Sequence, residues 1–136
     1  MITIEEGLER IQVYYPQAHI LEGCPIPHNN RFNFEKLLVV PSVILPSGWS
    51  HTICTVLTKI PHGFPATQPR HFWVDVELRL ADGRMAECTE HLTPIAGYEN
   101  WKDLTCFHWK LQAWDPNTDS LMTWLSVIKK RLKPAR

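Results

Sequence analysis

The sequence predicts an α+β fold in which a helix at each end of the chain packs on an antiparallel sheet. Three observations predict it. Ile4, Leu8, Ile11 and Tyr15 recur at helical spacing near the start, and Leu121, Trp124, Leu125, Ile128 and Leu132 do so near the end. Between them lie β-branched runs of period two, joined by connections of hairpin length. With 136 residues the chain is long enough for one real core, and it reads as a single domain over 1–136.

The elements follow in order. Thr3 and Glu6 match a capping box, and Pro16 stops the first apolar stripe, which predicts a helix over 4–15. His19–Glu22 reads as a short strand and Gly23 to Asn30 as a loop. Phe34–Leu45 is the next strand, with a bulge or an edge at Pro41, and Pro46-Ser47-Gly48 is a turn. Thr52–Ile60 puts Cys54, Val56 and Thr58 on one face and Ile53, Thr55 and Leu57 on the other. His71–Leu80 completes a four-stranded meander, and Asp82-Gly83 turns the chain. Residues 84–117 show no sustained period, and an irregular segment of that length inside a domain is usually functional. Asn117 or Thr118 then caps the last helix, where Lys129, Lys130 and Arg131 read as a solvated end that suits the helix dipole.

Composition narrows the class of function. Fourteen basic side chains balance fourteen acidic ones, so neither nucleic acid nor an anionic membrane is the expected partner. Hydrophobic residues make up 44% of the chain and no low-complexity tract appears, which argues against disorder, and no apolar run is long enough to span a membrane. The N-terminus shows no secretory pattern, and four widely spaced cysteines (Cys24, Cys54, Cys88, Cys106) read as reduced thiols of a cytoplasmic protein. Eleven prolines impose many extended or turn positions. Trp101, Trp109, Trp114 and Trp124 crowd the last third, which is either heavily packed or built to touch a partner.

Cys106 stands out among the reactive side chains. It lies in the irregular segment two residues before His108, which would lower its pKa or orient a substrate. The alternative is that Cys106 is a small core hydrophobe, as free cysteines mostly are and as Cys54 reads within its strand. His51-x-x-Cys54 and Cys88-x-x-His91 have zinc-like spacing, but positions three apart on a strand face opposite sides, and no metal site is expected. No phosphate-binding glycine loop, HExxH or GxSxG occurs, and no cofactor is expected.

Two stretches carry a resemblance to a known family. Thr52 to Pro69 holds a strand ending in Pro61, then Phe64-Pro65, then Pro69; Cys106 is followed by Trp114-Asp115-Pro116, which leads into the last helix. With the element order, these resemble the ubiquitin-conjugating enzyme (UBC) superfamily, and most closely its divergent bacterial branch, over about residues 3–132. Leu45 to Trp49 and Leu78 to Gly83 are similar to that branch as well. The family's His-Pro-Asn before the cysteine is absent, and the chain ends soon after one helix, without the two that commonly close the fold.

The resemblance implies that Cys106 accepts the C-terminal carboxyl of a ubiquitin-like protein from an activating enzyme, as a thioester, and passes it to an amine on a protein target. It implies His108 or Asn100 as the oxyanion donor in place of the missing asparagine, Asp115 as a group that orients the amine, and Phe64, Pro65 and Trp114 as the pins of the site. Two rival readings remain. One is a non-catalytic UBC-like module that binds a ubiquitin-like protein or its activating enzyme, and the other is a thiol hydrolase using Cys106.

Overall fold

The computed structural model describes residues 1–22, 36–91, 104–109 and 113–136. Helix α1 spans Ile4–Gln12, and its capping box is formed as expected: Thr3 Oγ1 accepts from Glu6 N, and Glu6 accepts from Thr3 N. It ends three residues earlier than the stripe predicts. Tyr14 and Tyr15 form a turn through their N–H bonds to Ile11 O.

Strands β1 (His19–Glu22), β2 (Lys36–Ile44), β3 (Ile53–Ile60) and β4 (His71–Val74) make the expected meander, each antiparallel to the next. The register slips between Val40 and Val43 and Ser42 takes φ 60°, so the bulge forms beside Pro41. β4 is shorter than the run His71–Leu80. Asp75 Oδ1 accepts from Thr55 N at 2.8 Å, which closes the ladder with β3, and Leu78 N turns instead to Thr105 Oγ1.

The four-stranded expectation needs correction. The sheet has six strands in the order β1-β2-β3-β4-β6-β5, where β5 is Thr89–His91 and β6 is Thr105–His108. Both come from the stretch read as irregular. β6 returns antiparallel to β4 and to β5, so it lies between them. Thr105 anchors it further, donating from Oγ1 to Val76 O at 2.7 Å.

Helix α2 (Leu121–Leu132) buries all five residues of its apolar stripe. Its N-cap is Ser120, with Thr123 completing the box, not Asn117 or Thr118. Those two belong to a preceding turn, in which Asp115 Oδ1 accepts from Asn117 N and Asp115 O from Thr118 N. Arg131 departs from the solvated reading. It is 1% exposed, its guanidinium lies 5.0 Å from the Phe107 ring and 5.2 Å from that of Trp109, and Nη2 donates to Glu87 O and Arg136 O.

The two helices share one face of the sheet. Gly7 permits their close approach, because a Cβ there would stand 3.1 Å from Leu121. Beneath them Phe72 stacks on Phe107 at 4.5 Å, and Trp124 Nε1 donates to Thr58 Oγ1, which donates in turn to His71 O. That chain ties α2 to β3 and β4, the strand beside the candidate cysteine.

Candidate active site

The alternation of β6 fixes where Cys106 points. Thr105 and Phe107 face the helices, so Cys106 and His108 face away from them. The register places Trp73 of β4 opposite Cys106 on one side and Glu90 of β5 on the other, and it pairs His71 with His108. Leu37, Val39, Leu57, Trp73, Leu104 and Cys106 make an apolar cluster on this second face.

Polar groups adjoin the cluster. Lys59 Nζ lies 5.5 Å from the centre of the Trp73 ring. The rings of His71 and His108 meet edge to face at 4.9 Å, and His108 Nε2 is 3.4 Å from Glu90 Oε2. The last pair is largely exposed, so it orients the imidazole more than it stabilises the fold.

The environment of the sulfur departs from the expectation that His108 lowers its pKa, and it matches the alternative of a small core hydrophobe. Cys106 is only 1% exposed. Burial, reinforced by the charge of Glu90 and opposed by that of Lys59, pushes the thiol up to about 12, so it is protonated at neutral pH. The neighbouring cations respond to the same surroundings. Burial lowers the pKa of Lys59, against an opposite pull from Cys106. His71 is lowered first by burial and then by His108, Lys59 and Arg70, with Glu90 acting the other way, which leaves a neutral imidazole at pH 7.

Cysteine reactivity is therefore expected to be graded. In the folded protein at neutral pH, iodoacetamide should modify exposed Cys88 and spare Cys106, together with Cys54, which burial and then Asp75 also push up to about 12. Peptide mass mapping with and without denaturant reads this directly. Equal labelling of Cys88 and Cys106 without denaturant would show an open sulfur.

The other sequence candidates are placed unevenly. His108 shares the face and the strand of Cys106. Asp115 is exposed in the turn before α2; among the described residues it bonds with Asn117, Thr118 and Asp119, and no contact joins it to Cys106. Asn100 and Cys24 lie outside the described residues. Of the zinc-like pairs, His51 is exposed beside Ser50 while Cys54 is buried, and His91 Nε2 bonds Leu78 O; no group of three ligating side chains occurs among the described residues. Sequence reasoning missed Lys59, His71, Trp73 and Glu90. The alternation of His71 and Trp73 against Phe72 and Val74 was the available signal, but the partner strand was needed to give it meaning.

The pins of the site form as expected. Trp114 Nε1 donates to Pro65 O at 2.7 Å, and its ring lies 5.7 Å from that of Phe64. The loop after β3 is thus clamped to the segment that leads from β6 into α2, and the clamping tryptophan follows Cys106 by eight positions. A family model described as Prokaryotic E2 family E matches residues 19–135, which include the meander, the cysteine and the clamp. The chain belongs to this prokaryotic E2 family. No curated protein and no solved structure matches it.

Membership gives the family E protein an E2-like conjugating function in general, with an activating enzyme and a ubiquitin-like protein as the general partners of such a function. No helix among the described residues is long and apolar enough to cross a membrane.

Proposed function

We propose that this family E protein carries a ubiquitin-like protein as a thioester on Cys106 and transfers it to an amine of a protein target. The observation that supports this reading best is the juxtaposition on one sheet face of Cys106 with Lys59, His71, Glu90 and His108, just ahead of the Trp114 clamp. In loading, Cys106 Sγ attacks the carbonyl carbon of the activating enzyme's thioester. The new C–S bond forms, the donor's C–S bond breaks, and the proton of Cys106 passes to the departing thiolate. In transfer, the target amine attacks the same carbon, and Cys106 leaves and regains a proton. Neutral His71, or His108 next to it, takes the proton released by the amine. Asp115, exposed in the turn before α2, orients the incoming amine.

The thiol is latent in this arrangement. A protonated, covered sulfur does not react with stray electrophiles, and loading requires that docking of the charged activating enzyme uncover Sγ. The same burial favours a second reading, a non-catalytic UBC-like module that binds a ubiquitin-like protein or its activating enzyme. The two readings part on a non-reducing gel. Wild-type protein with the activating enzyme, ATP and ubiquitin-like protein is expected to give a heavier band that thiol removes. Binding of the charged activating enzyme without any such band would establish the passive module instead.

A further inference from the structure

Two of the three buried indoles among the described residues have a hydrogen-bond acceptor. Trp49 Nε1 donates to Leu132 O at 2.8 Å, and Trp124 Nε1 to Thr58 Oγ1 at 2.9 Å. Trp73 is the exception. It is 5% exposed, yet its Nε1–H has no partner among the described residues. A buried donor left without an acceptor is destabilising, so such a group asks for an explanation.

Its place in the sheet supplies one. Trp73 sits directly across from Cys106, and both side chains belong to the apolar cluster on the face away from the helices. Directly paired Cβ atoms in an antiparallel ladder stand about 5 Å apart, a span that an indole bridges. We propose that the Trp73 indole N–H is the donor that receives the carbonyl oxygen of the acyl group on Cys106. It would hold that oxygen as a thioester carbonyl and bind it more tightly as the tetrahedral oxyanion. Lys59 Nζ, 5.5 Å from the centre of the same ring and in electrostatic reach of Cys106, adds a basic group close to the sulfur. This rests on the thioester reading above, and it assigns to β4 the role that the missing His-Pro-Asn leaves open. A donor fixed by strand pairing and shielded from water needs no reorganisation when charge develops, which is where such a hydrogen bond has its largest effect.

The test replaces Trp73 by β-(3-benzothienyl)alanine, an isostere with sulfur in place of the N–H, and by phenylalanine. With the activating enzyme, ATP and ubiquitin-like protein, single-turnover discharge to an amine is expected to slow by about 10²-fold, while the concentration of charged activating enzyme that half-saturates loading stays the same. In the wild-type thioester, the Trp73 indole proton should move downfield in the ¹H–¹⁵N spectrum. Discharge at the wild-type rate in the isostere, or an indole proton unmoved on loading, would overturn the assignment while leaving the thioester reading intact. If wild-type protein forms no thioester, the parent reading fails and takes this one with it. If the variants do not fold, the indole shift of the wild-type protein decides alone.

Discussion

Replacing Cys106 with serine is expected to remove the thiol-sensitive adduct completely. Exchange between two thioesters is near thermoneutral, whereas an oxygen nucleophile at the same position gives an ester that thiol does not cleave, or gives nothing. The effect is all-or-none, and it is read by comparing gels with and without reductant. The hydroxyl would enter an apolar cluster of Leu37, Val39, Leu57, Trp73 and Leu104, which costs about 1–3 kcal/mol unless it finds a partner. Cys106→Ala is the companion variant, since it keeps the site apolar, and thermal unfolding of both shows whether the fold survives. A reducible adduct that persists on Cys106→Ala would move the acyl group to another sulfur, and Cys88 is the exposed one among the described residues.

The second large effect concerns stability. Trp124→Ala is expected to lower unfolding free energy by about 3–5 kcal/mol, the usual range for removing a fully buried large ring. Trp124 is wholly buried between α2 and the sheet, and its indole hydrogen bond reaches Thr58, whose hydroxyl holds the carbonyl of His71. Trp124→Phe keeps much of the packing and loses one hydrogen bond, so about 0.5–1.5 kcal/mol is expected from that bond alone. Denaturant unfolding measures both. A loss below about 1 kcal/mol for the alanine variant would mean that the α2 interface is much looser than its burial indicates.

The local signals in the sequence were reliable where neighbours along the chain decide the outcome. The Thr3/Glu6 capping box, the α2 stripe and the bulge beside Pro41 each depend on side-chain chemistry within a few residues. Long-range pairing was not legible. β5 and β6 have three and four residues, too few for a period to show, and they become strands only because β4 offers its free edge to β6. The cap of α2 was displaced because Asp115 draws Asn117 and Thr118 into a turn of their own. Arg131 reads as an exposed cation because its covering rings, Phe107 and Trp109, lie more than twenty positions away in the sequence.

The candidate site divides along the same line. The position of Cys106 relative to the Trp114 clamp was readable, and so was that clamp. The closure of its sulfur was not, because the side chains facing it come from strands brought together only by the sheet order.

Because β6 has a ladder on each flank, the main chain at Cys106 is an inner rung and not a free edge. Shifting it would sever two sets of cross-strand bonds at once, so a loop-like swing of this segment is the dearest route by which Cys106 could reach the surface. Access is instead governed by rotamer change and by parting of the groups above the strand. If Cys106 carries the acyl group as proposed, its main chain is the fixed anvil, and its side chain and the groups that cover it do the moving.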